Sequence, residues 1–147
     1  MIKKYHIFKK IMDSSDSYFL KFEHKDFKKG IEDLVNKKKN MLVHLYGEPG
    51  RDGRSWCPDC DISEPYIKEI KPLIKQKEKE KEIYFIDIPI SWEKRSDYRS
   101  NKILKEKRIP TLIYFYQGRE MGRLVEGEMA DRKNIFDFVE QIYEDDY

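Results

Sequence analysis

Residues 41–60 read MLVHLYGEPGRDGRSWCPDC, and three kinds of segment meet there. MLVHLY (41–46) is a nearly continuous apolar run, the pattern of a strand covered on both faces. GEPGRDGRS (47–55) is a loop by its Gly and Pro content. WCPDC (56–60) then carries Cys57 and Cys60, the only two cysteines of the chain. Beyond Cys57 the apolar residues change period. Ile62, Tyr66, Ile70, Leu73 and Ile74 recur at steps of four and three, which predicts a helix. Cys57 therefore falls at a helix start, where free N–H groups and the positive end of the helix dipole favour a thiolate. The thiolate is the nucleophilic form of cysteine. Cys60 lies one turn further on, so its sulfur can return to the first. That spacing permits a two-step exchange in which Cys57 attacks a disulfide and Cys60 releases the reduced product. Pro58 suits a first turn, where its missing N–H would be unpaired anyway. Trp56 offers a flat apolar surface beside the thiol.

Spacing alone leaves two other uses of the pair open. A zinc site needs four ligands as a rule. Besides the cysteines the chain offers His6, His24 and His44, none with paired ligand spacing, and no metal is expected. An inert disulfide is the other alternative, although at an exposed helix start it would be readily reduced.

Outward from this stretch, strands and helices alternate. YFLKF (18–22) reads as a short strand. Phe27, Ile31, Leu34 and Val35 mark one face of a helix, which Gly30 weakens without ending. Pro65 and Pro72 should bend or shorten the helix after Cys57, and KQKEKEKE (75–82) reads as its frayed end. IYFIDI (83–88) is a third buried strand. Residues 89–108 form a long connection with a helix expected from Asp97 to Lys107. TLIYFY (111–116) is a fourth strand directly after Ile109 and Pro110. QGRE turns into an edge strand, MGRLVEG (121–127). Asp131 opens a last helix with Ile135, Phe136, Val139, Ile142 and Tyr143 facing inward. The order β-α-β-α-β-α-β-β-α, with central strands apolar on both faces, is α/β with helices on both sides of the sheet.

Lys and Arg total 30 against 28 Asp and Glu, so the net charge of +2 gives no reason to expect nucleic-acid binding. Hydrophobic residues make up 39% and aromatics 14%, gathered in blocks between Lys/Glu-rich surface. No run approaches the roughly 20 apolar residues of a membrane helix. MIKKYHIFKKIM has no uninterrupted apolar stretch and no small-residue cleavage site, which argues against a secretory signal. Residues 1–17 read as a flexible basic tail and residues 18–147 as a single domain. Two cysteines do not staple a secreted fold, so thiol chemistry in the cytoplasm is the expectation. With no surplus cysteine, a monomer is expected.

The run of strand, loop, WCPDC, helix and strand, followed by RIPTLIYFY and GRE, resembles a thioredoxin fold. WCPDC followed by ISEP, after the enlarged GEPGRDGRS loop, is similar to the thioredoxin domain-containing protein 17 family of the thioredoxin-like superfamily. Trp92 and DYRSN (97–101) share the resemblance, which spans about residues 18 to 144. It implies a central mixed β-sheet of about five strands flanked by about four helices. It makes Cys57 the attacking thiolate, Cys60 the resolving thiol and Pro110 a cis-proline packed against the pair. Ile109 and Thr111 flank that proline, and the Ile109 backbone would accept a substrate segment as an added strand. Sequence pattern alone would make Pro110 an ordinary strand-start proline. Pro65 matches the proline that bends the active-site helix.

The resemblance also implies the electron path. The protein would bind no cofactor and would take electrons from NADPH through thioredoxin reductase. It would pass them to cystine, to selected protein disulfides or to nitrosylated thiols. The wide loop and the Trp92 segment would narrow its targets. A redox-switched protein-binding module on the same scaffold is the alternative.

Two departures from ordinary thioredoxin stand out. Pro58 and Asp59 replace Gly-Pro between the cysteines. The Asp59 carboxylate suits a helix N-terminus but repels a thiolate, while Arg51 and Arg54 would act oppositely, and the sum has no sign from sequence. Where thioredoxin keeps a buried acid for moving protons, this chain has His44. Its titration range suits that role, although a hydrogen-bonded histidine of the core is the plainer reading. Glu64 is a second proton acceptor to consider, or an exposed helix residue. Asp87 is a third, or a turn-former at a strand end.

Overall fold

The computed structural model describes residues 18–144; the tail expected over residues 1–17, and residues 145–147, lie outside the described residues. The MLVHLY run forms the middle of the sheet because both of its faces are apolar. The chain runs through β1 (Phe19–Lys21), α1 (His24–Asn36), β2 (Met41–Gly47), α2 (Pro58–Gln76) and β3 (Tyr84–Ile90). It continues through α3 (Arg95–Arg99), β4 (Thr111–Tyr116), β5 (Arg119–Val125) and α4 (Arg132–Glu144). Strand order is β1-β3-β2-β4-β5. β1, β3 and β2 run parallel, while β4 and β5 are antiparallel, so the sheet is mixed.

Side chains alternate across β2 and feed two cores. Met41, Val43 and Leu45 pack with Phe27, Ile31, Leu34, Tyr98 and Leu104 on one face. Leu42 packs with Ile67, Ile70, Ile135 and Val139 on the other. Thus α1 and α3 cover one side, and α2 and α4 the other. Each fully buried Leu, Ile or Phe contributes about 1.5–3 kcal/mol of transfer free energy. β4 and β5 are joined by a two-residue turn, Gln117–Gly118, both with positive φ (49° and 83°). That geometry matches the twist of the hairpin. A Cβ on Gly118 would also sit 2.6 Å from the Val35 carbonyl oxygen.

Four sequence expectations are corrected. First, the helix expected from Asp97 to Lys107 is instead a 3-10 turn, Trp92–Lys94, followed by the short α3. The Asn101 side chain accepts the N–H groups of Ile103 and Leu104 at 3.0 and 2.9 Å, which replaces the helical bonds. Lys105 then adopts φ 46°, and Glu106 turns inward to Arg99. Second, the inward stripe of α2 is Cys60, Ser63, Ile67, Ile70 and Ile74, while Ile62 is 49% exposed. Third, of the two effects expected of Pro65 and Pro72, shortening does not occur, since α2 runs through both to Gln76. Both lie on its exposed side, where unpaired carbonyls meet water. Fourth, Asp87 is not at a strand end; it sits mid-β3, in register with His44.

Antiparallel pairing of β2 with β4 sets Leu45 opposite Thr111. The end of β2 and the start of β4 therefore share one edge of the sheet. The loop to α2 leaves from that same edge, at the carboxyl end of the parallel strands, where open α/β sheets bind ligands.

Candidate active site

Cys57 is the N-cap residue of α2, and Pro58 follows in the first turn. Its extended backbone (φ −109°, ψ 102°) lets Sγ turn back over the helix and accept the Cys60 N–H at 3.3 Å. This is the bond that a capping Ser or Asp makes elsewhere, here given to sulfur. Both cysteines are free thiols, and both are buried, at 7% and 4% exposure. The helix start is thus more enclosed than the sequence led one to expect. The sulfur of Cys60 accepts the Gly47 N–H at 3.3 Å, so the end of β2 holds the second thiol.

The two thiols are pulled in opposite directions. The hydrogen bond from the Cys60 thiol holds the Cys57 pKa below the usual thiol range, against the opposing effect of burial, and the Cys60 N–H adds to the lowering. The Asp59 carboxylate raises it and the Asp59 N–H lowers it, so that residue acts both ways. Donation to Cys57, together with burial, pushes the Cys60 thiol far up. The pair is thus one thiol shifted toward its thiolate form beside one neighbour held protonated. Arg51 and Arg54 are exposed in the 47–55 loop and are not among the main influences on Cys57.

The Ile109–Pro110 peptide is cis. It faces the cysteines: the Cys57 thiol donates to the Ile109 carbonyl across 3.7 Å. The segment is fastened on both sides. The Thr111 hydroxyl donates to the Arg108 carbonyl, and the Pro110 carbonyl accepts the Glu126 N–H at 2.7 Å. Trp56 is anchored by its indole N–H to the Ile90 carbonyl at 2.8 Å. Trp92, 53% exposed, meets it edge-on with centroids 5.1 Å apart, and the Arg95 guanidinium lies 3.2 Å over the Trp92 ring.

His44 lies beneath α2, 1% exposed. Its Nδ1 is 2.9 Å from Asp87, whose other oxygen accepts Lys71 Nζ at 2.8 Å. Nε2 of His44 is buried with no hydrogen-bond partner among the described residues. Burial alone would raise the Asp87 carboxyl, but His44 and Lys71 outweigh it and hold it below the usual range. Glu64 is half-buried on α2, near enough for its charge to raise the Tyr46 phenol. Among the described residues, no group of three or more His, Cys, Asp and Glu is arranged to hold a metal ion.

Sequence reading missed three positioning groups. Ser55 Oγ donates to the Gly47 carbonyl at 2.8 Å and accepts the Cys57 N–H at 3.0 Å. Asp61 accepts the Ser55 N–H at 3.1 Å, tying the loop to the first turn of α2. Gly47 holds Cys60, as above. A serine two residues before an N-cap is a recognisable local hydrogen-bonding signal; the roles of Gly47 and Asp61 depend on the tertiary approach of β2 to α2.

Comparison with known proteins agrees with this architecture. The chain is similar to thioredoxin O2 of Arabidopsis thaliana in the oxidised state, with a TM-score of 0.61 over 86% of this chain and 95% of that one, at 16% identity. At that identity the likeness shows the fold. Thioredoxin-like protein Clot of Oryza sativa subsp. japonica is 29% identical over 101 residues, covering 65% of this chain and 73% of the relative. Thioredoxin domain-containing protein 17 of Mus musculus is 28% identical over 126 residues, covering 82% and 89%. A family model described as thioredoxin domain-containing protein 17-like, thioredoxin domain, matches residues 20–145. Because that match reaches from β1 to α4 and takes in both cysteines and the cis-proline, the chain belongs to the thioredoxin domain-containing protein 17-like family.

Proposed function

We propose that the protein is a thiol-disulfide oxidoreductase that reduces small-molecule or selected protein disulfides. The observation that carries this reading is the Cys57 sulfur at the N-cap of α2, its pKa lowered by Cys60 and its position set against Ile109 and the cis-proline. The Cys57 thiolate attacks one sulfur of a substrate disulfide, forms a mixed disulfide and expels the other sulfur as thiolate. Cys60 then loses its proton and attacks Cys57, which releases the second substrate thiol and leaves a Cys57–Cys60 disulfide. Two electrons pass from the protein to the substrate. NADPH returns them through thioredoxin reductase, and the setting is the reducing cytoplasm. Cystine and regulatory protein disulfides are the proposed acceptors. Trp56 and Trp92 form the apolar rim that limits access.

The raised Cys60 thiol requires a proton acceptor. His44 is assigned that role in preference to Glu64. Its buried Nε2 has no partner among the described residues, its Nδ1 is fixed by Asp87, and its strand ends at the Gly47 N–H that holds Cys60.

Cys60→Ser should trap substrates as mixed disulfides on Cys57, and adducts should vanish in Cys57→Ser/Cys60→Ser. Failure to trap any Cys57-dependent adduct from a reducible substrate would reject the reading. In the wild-type background, His44→Gln should slow release from the mixed disulfide more than its formation. An equal effect on both steps would remove His44 from the mechanism.

A second reading, a redox-switched binding module, is favoured by the exposure of Trp92 beside the dithiol. Full partner binding and cellular function in the double Cys→Ser variant would select it.

A further inference from the structure

A groove of about 760 Å³ opens between the 105–108 segment and β5. Its rim carries Lys105, Lys107, Arg108 and Arg123, with Glu120 the one acid among the described residues that line it. The charge around it is not balanced. Glu120 is taken up by Arg123 through bonds of 2.8 and 2.6 Å. Arg108 pairs with Glu126 at 2.9 Å. Glu106 lies between the two lysines in sequence, but it is 4% exposed and faces Arg99 at 3.1 Å. Lys105 and Lys107 point to solvent, and among the described residues neither has an ion-pair partner.

This uncompensated charge lies on the segment that leads into Ile109, whose carbonyl faces the nucleophile. The Ile109 carbonyl is 3.7 Å from the Cys57 sulfur. At 3.8 Å between successive α-carbons, Lys107 is at most about 7.6 Å from Ile109. β5 is the last strand of the sheet, and among the described residues no strand pairs with its outer edge. An extended chain lying across Ile109 would carry its flanking residues into the groove.

We propose that this groove is a subsite for acidic polypeptide segments, and that the protein selects protein disulfides whose cysteine is flanked by Asp or Glu. The inference rests on the oxidoreductase reading and narrows its substrate class. Cystine carries balanced charges and gains little from two lysines; a segment with several carboxylates gains both faster encounter and a longer stay.

The test uses the full chain, reduced, in single-turnover attack on two synthetic peptides. Each bears one cysteine as a mixed disulfide with thionitrobenzoate, flanked on both sides by Glu in one peptide and by Lys in the other. Release of thionitrobenzoate reports the rate. The Glu peptide should react about tenfold faster or more at low ionic strength, and the gap should shrink as salt is raised. Lys105→Glu/Lys107→Glu should abolish or reverse the preference, and Lys105→Gln/Lys107→Gln should reduce it. Both variants should reduce the uncharged bis(2-hydroxyethyl) disulfide at the wild-type rate, which also shows that they are folded. Equal rates for the two peptides, or a preference that survives both variants, would overturn the proposal. Failure of the wild type to reduce even the uncharged disulfide would instead overturn the oxidoreductase reading beneath it.

Discussion

Asp59 occupies the most contested position in the site. Its N–H helps the Cys57 thiolate while its carboxylate opposes it, and the stronger influence of Cys60 sets the net direction downward. The balance can be tested because asparagine keeps the N–H and the shape but removes the charge. Asp59→Asn should therefore move the midpoint of Cys57 alkylation to lower pH. The readout is the iodoacetamide rate of the reduced protein against pH. Cys60 stays protonated and slow throughout the neutral range, so the measured thiol is Cys57. A midpoint that moved upward would show that the carboxylate acts mainly through the first turn of α2, not through its field at sulfur. The same lowered pKa has a consequence for stability. A thiolate favoured by the fold stabilises the reduced protein above the ordinary thiol range, and that contribution is lost as pH falls through the lowered native value.

At the scale of elements, the end of β2 and the start of α2 are held together through Gly47. A Cβ there would clash with Ser55 Oγ and come within 2.9 Å of the Cys57 Cβ, while the Gly47 N–H still had to reach Cys60. Gly47→Ala should cost about 1–3 kcal/mol, as other overpacking substitutions do, and should slow Cys57 alkylation as the N-cap shifts. Urea denaturation followed by Trp56 and Trp92 fluorescence would measure the first effect; a wild-type midpoint and alkylation rate would show that the loop yields freely. Elements of this kind divide sharply in how far the sequence reveals them. β2, β3 and β4 were legible because apolar runs report burial on both faces. The dithiol was legible because Cys-x-x-Cys at a change of period fixes its place at a helix start. The segment from Trp92 to Pro110 was not legible. Its helix stops where the Asn101 side chain takes two backbone N–H groups and Arg123 reaches across from β5 to the carbonyls of Leu104 and Lys105. No periodicity records such contacts. The stripe of α2 was misplaced because Ile62 looks like a core residue, whereas a cysteine and a serine in fact begin the buried face. The cis-proline came from family resemblance; the residues around Pro110 would have supported only a strand start.

Across the described fold, one part-buried carboxylate ties three elements together. Asp87 on β3 binds His44 on β2 and Lys71 on α2, between two largely apolar cores. The two oxygens of its carboxylate each hold a different partner, so Asp87→Asn removes a charge that both partners face and can satisfy only one of them well. At neutral pH the substitution should cost about 2 kcal/mol, the scale of hydrogen bonds to a charged group. The pH dependence separates charge from packing. Burial raises the Asp87 pKa, but His44 and Lys71 more than reverse it, so the folded value lies below the unfolded 3.8. Its stabilisation is therefore complete above that unfolded value and is lost as pH falls through the lower native one. Chemical denaturation of wild type and Asp87→Asn at a series of pH values should show a constant gap from pH 7 down to about pH 5, closing steadily in the acid range below about pH 4 as the native carboxylate gains its proton. A gap that persisted undiminished into strong acid would mean that Asp87 acts by shape alone. The bond between the central strands and α2 would then be steric, and the proposed role of His44 in proton transfer would lose the charged partner that fixes its ring.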